Sequence, residues 1–481
     1  MRTQYLILLF CSFSSLVFSQ EVWNLEKCIS YAIENNLTIE ISEFNLELAD
    51  NQVYQSKGNF LPNLNGGVTH QMNYGQTIDP FTNSFAVNSV QSNSLFISSN
   101  WTIFNGMQNL NNLKRNQYSY LSSKYDLENT KYNIALLVTQ NYLNILFFQE
   151  QVKIANQQIG IIQEQVNRTK KLFAAGTIPR GSLLEVEAQL AREELNLINT
   201  ENSLNLAYID LRQTLVLESD YNMVIETPEF ETLDLRLPAG TEAIVASANQ
   251  NFPSIISQEY ATQSAEKGVS IAKGQYSPTL SFSASLGSGY SGNNKEITGA
   301  EYTGNNDTLP SFTAPDFNFI LQPEIIYTQQ VKRWGDQLGE NFNQSWGLQL
   351  TIPIFNRFQV SSSVNQARIS YDIAQTRLSQ EKLTVRQNIE KAYADAVAAI
   401  KSYRANEKSV ESLKLAFDYA QERFDVGMIN AVEYNQSKNN LFRAQAELVQ
   451  AKYDYVFKLK ILEYYRGDKF DFGTLEQNNN E

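Results

Sequence analysis

The sequence predicts a mainly α-helical chain with an internal duplication and a pair of β-hairpins. Three observations support this prediction: a repeat at fixed offsets, long stretches with apolar residues at three- and four-residue intervals, and short segments in which apolar and small polar residues alternate. The 481 residues include only 11 prolines and 22 glycines, which favours long uninterrupted helices. The mean hydropathy of -0.35 argues against a polytopic helical membrane protein.

Charge and residue usage exclude several classes of function. The chain has 51 acidic residues against 38 Lys and Arg, a net charge of -13, and no run of five or more basic residues, so we expect no nucleic-acid partner. One histidine and two cysteines exclude a Cys/His zinc site, an iron–sulfur cluster and a disulfide framework within one chain. We therefore expect no cofactor, no metal site and no catalytic residues, and hence a protein that is not an enzyme.

The first twenty residues have the features of a secretory signal peptide. Arg2 supplies a positive charge, residues 5–18 are apolar, and Glu21 follows soon after. Residues 1–20 are therefore expected to be a signal peptide. Cys11 leaves open a lipoprotein in which this cysteine is acylated. Cys28 is expected to be a small buried apolar side chain on a helix.

A repeat search finds two related halves after the signal segment. Early in the halves, residues pair at an offset of 216, as Ala32 does with Ala248; later the offset is 251, as for Phe173 and Phe424. The second half therefore carries an insertion of 35 residues, and the segment 291–342 that contains it is expected to be loop-like. The expected domains are a first repeat at 21–218, a linker at 219–240, a second repeat at 241–467 and a polar tail at 468–481.

Each repeat is expected to consist of a helix, a hairpin, a long helix, a turn and a further helix. The segments 138–173 and 389–424 have apolar or small residues at heptad spacing, and 183–211 has a similar seam. No proline occurs in 106–174, so this helix is expected to be on the order of 100 Å long. Ordinary core packing explains such seams equally well, but their length and duplication favour an extended assembly.

The predicted hairpin strands show a period of two. In 280–290 and 346–354, apolar residues alternate with serine, glycine and other small or polar residues, and 95–103 follows a similar pattern. Such a period suits a membrane β-strand, which needs about 9–11 residues, although a half-buried soluble strand fits any one segment as well. Four membrane strands cannot close a barrel, and open edges are not tolerated in lipid, so a chain that spans the membrane must oligomerise.

Two Phe-x-x-Gly turns, at 173–178 and 424–429, stand between predicted helices. Strand-to-helix junctions lie at 104–106 and 353–356, before the respective turns. Pro62 and Pro278 mark the equivalent helix-to-strand boundaries. Together these motifs resemble the outer-membrane efflux protein (TolC) family of Gram-negative bacteria. The resemblance covers about residues 23–467.

The resemblance implies a homotrimer in the outer membrane that extends into the periplasm. It implies an internally duplicated long-helix α-barrel with four membrane β-strands per chain, and hence a trimeric 12-strand barrel and a 12-helix tunnel. The implied function is the exit duct of a tripartite efflux or type I secretion system, which exports small molecules or polypeptides. The implied partners are a periplasmic adaptor (membrane fusion) protein and an inner-membrane pump. The alternative is a non-conducting periplasmic coiled-coil tether.

The resemblance also implies functional residues at the turns. In this family acidic residues after the second turn commonly ring the tip aperture; Glu433 matches the first of them, whereas Gln436 replaces the second. Ser182 and Glu185 occupy the corresponding positions of the first repeat, so the aperture is expected to be less acidic than usual or to be built differently. The residues expected at the adaptor-docking turns are Phe173, Gly176, Ile178, Phe424, Gly427, Met428 and Ile429.

Several other motifs have a structural interpretation. Gly176 and Gly427 are expected to adopt a left-handed conformation, which a plain helix C-cap explains as well as a docking turn does. The GxGxxG pattern at 287–292 does not open a helix, so it is not interpreted as a nucleotide site. Asp79 and Asp316 are expected to form turns in the hairpin loops.

Overall fold

The computed structural model describes residues 22–86, 89–218, 221, 223–227, 240–312, 315 and 318–466. The predicted signal segment with Cys11, most of the linker, Asp316 and the polar tail lie outside these ranges. Within the described ranges, no helix is both long enough and apolar enough to cross a membrane.

The first half begins with a short strand and two helices and ends with two long helices. Its elements are β1 (Val22–Trp23), α1 (Leu25–Asn35), α2 (Leu37–Gly58), β2 (Asn65–Tyr74), β3 (Thr77–Ile78), β4 (Phe85–Ala86), β5 (Ser89–Asn105), α3 (Gln108–Ala174), α4 (Arg180–Leu215) and β6 (Val224–Ile225).

The second half repeats this order of helices and main strands. Its elements are α5 (Thr241–Asn251), α6 (Pro253–Gly274), β7 (Thr279–Ser291), β8 (Lys295–Phe312), β9 (Phe319–Val331), α7 (Trp334–Glu340), β10 (Asn343–Thr351), α8 (Gln359–Asp425) and α9 (Ala431–Arg466). The equivalent helices α1 and α5 have 11 residues each, α2 and α6 have 22, α3 and α8 have 67, and α4 and α9 have 36. These matching lengths confirm the internal duplication.

The single helix expected before each hairpin is interrupted after 11 residues. Asn36 leaves the helical conformation with ψ 124°, and its side-chain oxygen accepts a hydrogen bond from the backbone N–H of Thr38 at 2.9 Å. This contact begins the next helix in the manner of an N-cap. Phe252 has the same ψ and precedes Pro253, whose ring disfavours a helical conformation in the residue before it. Two different local causes therefore produce the same break.

The described residues form two compact units, and those of the first lie within 22–50, 118–263 and 372–466. Its largest apolar cluster includes Trp23, Cys28, Val138, Tyr142 and Leu211. Cys28 has no solvent exposure, which confirms its interpretation as a small buried side chain. A second cluster draws on the equivalent helices of the other half and includes Ile244, Ala248, Ile255, Ile389, Ala396 and Leu462.

The second unit consists of Asn51–Gln117 and Ser264–Tyr371 and contains a four-stranded antiparallel sheet. The strand order is β10-β7-β5-β2, which confirms the four expected strands. The return strand of the second half is Asn343–Thr351 rather than the expected 346–354. Pro353 lacks the N–H that a continuing ladder would need, so the strand ends before it.

The prediction that 291–342 is loop-like is wrong. The segment contains β8 and β9, which pair antiparallel, followed by the short helix α7. Asparagine and glycine in β8 suggested a loop, but the register shifts around Gly299 and between Tyr302 and Asn306 accommodate such residues as irregularities within a continuous pair of strands. The segment that contains the insertion is therefore a folded hairpin followed in the chain by a short helix.

Candidate functional site

The two helix turns have the same hydrogen-bond pattern. In the first half, the N–H of Gly176 donates to Phe173 O at 2.9 Å and the N–H of Thr177 donates to Leu172 O at 3.0 Å. In the second half, Gly427 donates to Phe424 O at 3.0 Å, with Met428 bonded to Arg423 O at 2.8 Å. These are Schellman motifs. The φ angles of +72° at Gly176 and +79° at Gly427 confirm the expected left-handed conformation.

Glu433, predicted to lie at the aperture, forms two hydrogen bonds with Asn430, the residue that caps the start of α9. Its backbone N–H donates to Asn430 Oδ1 at 2.9 Å, and its carboxylate accepts from Asn430 Nδ2 at 3.2 Å. The carboxylate therefore lies at the positive end of a helix, a placement that stabilises the negative charge. The Asn-x-x-Glu spacing is visible in the sequence and could have revealed this second, structural role.

The other three predicted aperture residues have different surroundings. Gln436 is exposed and donates from Nε2 to Asn440 Oδ1 at 3.0 Å, one turn along α9. In the first half Ser182 is half-buried and Glu185 is exposed. Pro179 stands at the N-cap of α4 and makes no side-chain hydrogen bond there, so the first turn lacks the side-chain N-cap of the second.

The residues predicted to dock an adaptor are unequally accessible. Met428 is 73% exposed and Phe173 is 39% exposed, whereas Ile178 is half-buried. Ile429 is buried at 8% exposure and packs within the chain. Burial removes this apolar side chain from water and gives it a role in packing instead.

Phe424 participates in a contact network that the sequence did not reveal. Its ring stacks on Tyr434 at a centroid separation of 4.7 Å and lies under the guanidinium of Arg168 at 4.9 Å. Arg168 also forms an ion pair with Asp425 at 3.3 Å. Burial, followed by the charge of Asp425, raises the pKa of Tyr434. These contacts join the end of α3 to the end of α8 and the start of α9.

Lys438 lies one turn beyond Tyr434 and is almost completely buried. Its exposure is 1%, and its Nζ has no hydrogen-bond partner among the described residues. Burial lowers its pKa from the ordinary 10.5 to about 8, while the charges of Glu193 on α4 and Glu164 on α3 oppose this shift. The ammonium group of Lys438 is buried without a hydrogen-bond partner among the described residues. Its charge therefore destabilises the folded chain at pH values below that pKa.

The strand register gathers apolar side chains on one face of the sheet. Residues directly opposite each other share a face, and Phe282 lies opposite both Leu348 and Trp101. This apolar face contains Val68, Leu95, Ile97, Trp101, Leu280, Phe282, Leu286, Trp346, Leu348 and Leu350. The alternation predicted for 280–290, 346–354 and 95–103 is therefore confirmed in β7, β10 and β5, with Ser99, Ser288 and Gln344 as polar exceptions on this face.

The opposite face carries small or polar side chains. Ser283 pairs with Gly347 on one side and with Asn100 on the other. This small polar face contains Thr69, Ser94, Ser98, Asn100, Thr102, Ser281, Ser283, Ser285, Gly287, Gly289, Gly347 and Gln349. Phe96 is an exception, and its ring occupies the space above Gly67, where an added Cβ would lie 2.6 Å from ring atoms.

Asp79 and the GxGxxG segment behave as the sequence suggested. The Asp79 carboxylate accepts from the backbone N–H groups of Phe81 at 2.9 Å and Thr82 at 3.2 Å, so it forms a turn. Most of the glycine pattern lies within β7, which ends at Ser291. His70 in β2 lies opposite Asn93, with 2.5 Å between Nδ1 and Oδ1.

Known proteins similar to this chain are channel proteins of the outer membrane. A family model described as outer membrane efflux protein matches residues 28–215 and 320–464, more than half of the chain. The outer membrane protein TolC of Vibrio cholerae serotype O1 is 22% identical over 458 residues, which cover 94% of this chain and 93% of the relative. The outer membrane efflux protein BepC of Brucella suis is 22% identical over 429 residues, which cover 88% and 81%.

The fold is also that of a solved channel. The CmeC outer membrane channel of Campylobacter jejuni superposes with a TM-score of 0.73 at 17% sequence identity, covering 92% of this chain and 85% of that one.

Proposed function

This chain belongs to the outer membrane efflux protein family, and from that premise we propose that it is the outer-membrane exit duct of a tripartite efflux or type I secretion system. The observation that carries the proposal is the strand register. It places apolar side chains on one face of the four-stranded sheet and small polar side chains on the other. Such a sheet suits lipid on one side and a water-filled lumen on the other.

Strand lengths support a membrane location. β2 has 10 residues, β5 has 17, β7 has 13 and β10 has 9, against the roughly 9–11 that a tilted strand needs to cross the hydrocarbon core. On the apolar face, Trp346 and Leu348 are 77% and 62% exposed in the single chain. Burial of these side chains in lipid would remove that apolar surface from water.

The two edges of the sheet support an oligomer. Among the described residues β2 and β10 each pair with one strand, and an unpaired strand edge is not tolerated in the bilayer interior. We infer that β10 of one chain pairs with β2 of the next, and that three copies close the ring as a homotrimer. The strands would line the duct in the outer membrane, and the long helices would continue it into the periplasm.

The helix turns are the proposed contact for a periplasmic adaptor and, through it, an inner-membrane pump. Among the predicted docking residues, Met428 and Phe173 are the exposed apolar side chains, and Val426 beside Gly427 is also 72% exposed. Glu433, Gln436, Ser182 and Glu185 lie within the first two turns of the helices that follow, where they would surround the aperture. The exported material is proposed to be small molecules or polypeptides, without an enzymatic step.

Membrane fractionation followed by planar-bilayer recording tests the duct against the alternative, a periplasmic coiled-coil tether. The duct predicts an outer-membrane protein that migrates as a trimer and produces discrete conductance steps. A protein recovered from the periplasm that produces no conductance would contradict the duct and support the tether.

A further inference from the structure

The loop between β3 and β4 folds back over the small polar face of the sheet. A Cβ placed on Gly289 would overlap the ring of Phe81, so the ring occupies the space that a side chain at position 289 would fill. Gly289 pairs with Ser94 and shares its face with Ser285 and Gly287. Phe81 therefore lies on the small polar face.

Three fully buried polar side chains hold this loop against β7. Asp79, Ser291 and Gln337 each have 0% exposure. The hydroxyl of Ser291 donates to the Asp79 carboxylate, which also accepts from the backbone of the loop. Gln337 Oε1 accepts from Ser291 N at 2.9 Å, and Gln337 Nε2 donates to Ser291 O at 3.0 Å. A buried network that satisfies its members in this way fixes a single arrangement.

Helix α7 takes the place of a strand along the edge of β7. The pairing of β10 with β7 ends at Asn343 and Gly287. Beyond that point, Asn341 Nδ2 donates to Gly289 O at 2.8 Å, while Gln337 bonds both backbone groups of Ser291. Residues four apart on a helix share a face, so these two amides follow the strand edge. The end of β7 is thus held by the loop on its face and by α7 at its edge.

We propose that the loop 79–84 is a fixed constriction of the duct and that Phe81 sets the size of solute that passes the strand region. This inference rests on the proposed function, because the small polar face lines a lumen only if the chain forms a channel. Phe81 places an aromatic ring over a face built mostly of serine, glycine and asparagine. The buried contacts of Asp79 anchor the loop directly beside that ring. Because the ring narrows the path without adding charge, it selects solutes by size.

Removal of the ring tests the constriction. Phe81→Ala should raise single-channel conductance in planar bilayers by roughly 1.5-fold, since a wider lumen presents a lower barrier to ions. It should also admit larger polyethylene glycols in a polymer-exclusion assay. Phe85→Ala is the matched control, because Phe85 in the same hairpin is 83% exposed and should leave both readings unchanged.

The outcomes separate the constriction from the duct. Unmodified protein that conducts, with Phe81→Ala matching it in conductance and polymer cutoff, overturns the constriction and leaves the duct intact. An equal rise in Phe85→Ala also overturns it, since any loss of an aromatic ring from the loop would then suffice. Absence of conductance in the unmodified protein rejects the duct and the constriction together.

Discussion

At the scale of single residues, substitutions of Gly427 distinguish the effect of backbone strain from the loss of a docking surface. Its φ is +79°, and a Cβ added there would meet no atom within 4 Å. A substitution therefore costs about 1 kcal/mol of backbone strain but causes no clash. We expect Gly427→Arg to retain the trimer and to abolish transport, because the long side chain obstructs the proposed docking turn. Trimer content on native gels and a drug-export assay measure the two effects.

Gly427→Ala provides the control for that prediction. It introduces similar backbone strain without the bulk or charge of arginine, so it should retain both trimer and transport. Loss of transport in the alanine variant would attribute the effect to the backbone. Loss of the trimer in Gly427→Arg would reduce the glycine to its role as a helix C-cap.

Lys438 gives a prediction about pH. Its folded-state pKa of about 8 lies below the ordinary 10.5, so between these values the unfolded chain binds more protons than the folded chain. Stability therefore rises with pH through this window, and the full destabilisation below it corresponds to about 3 kcal/mol. Lys438→Met should raise the melting temperature in detergent at pH 7, and the gain should shrink as the pH approaches 10.

The control for Lys438→Met is the same substitution at a solvent-exposed lysine. Lys408 on α8 is exposed, so Lys408→Met should leave the melting temperature close to that of the unmodified protein across the same pH range. A gain at Lys438 that stays constant from pH 7 to 10 would show that extra apolar packing, and not relief of a buried charge, explains the stabilisation.

At the scale of elements, periodic patterns made the long helices and the main strands predictable. The heptad seams and the proline-free stretch correspond to α3, whose observed start at Gln108 and end at Ala174 agree closely with the expectation.

Features that depend on contacts between distant segments were not predictable. Lys438 resembles an ordinary surface lysine in the sequence. No local pattern predicts that Asp79 accepts a hydrogen bond from Ser291 of the other half. β8 was missed because its glycines and asparagines are typical of loops, while its stability comes from pairing with β9.

The faces of the sheet can be distinguished by placing the same charged residue on each. Leu348 lies on the apolar face and Ser283 on the small polar face, on neighbouring strands. Leu348→Arg should impair membrane insertion, since arginine on the lipid side at the bilayer midplane costs roughly 2–4 kcal/mol. Ser283→Arg should insert normally and alter conductance. Outer-membrane yield and bilayer recording report both results, and identical behaviour of the two variants would refute the assignment of the faces.

At the scale of the whole molecule, duplication gives each chain two turns that are alike in backbone and different in chemistry. The first turn presents Ser182 and Glu185 where the second presents Glu433 and Gln436. A homotrimer would therefore place three copies of Glu433 around the proposed aperture. Three like charges around one opening repel one another and attract cations.

Glu433→Gln tests whether that ring of charge exists. A glutamine side-chain oxygen can still accept from Asn430 Nδ2, and the backbone N–H of residue 433 can still donate to Asn430 Oδ1. The start of α9 should therefore keep both hydrogen bonds, and the protein should fold normally. The lost charges should lower cation selectivity, measured as a smaller reversal potential in a bilayer with a salt gradient. Glu185→Gln, at the position of the first half that corresponds to Gln436, reports what the other acidic residue contributes. An unchanged reversal potential in Glu433→Gln would place this residue outside the aperture and leave its contact with Asn430 at the start of α9 as its role.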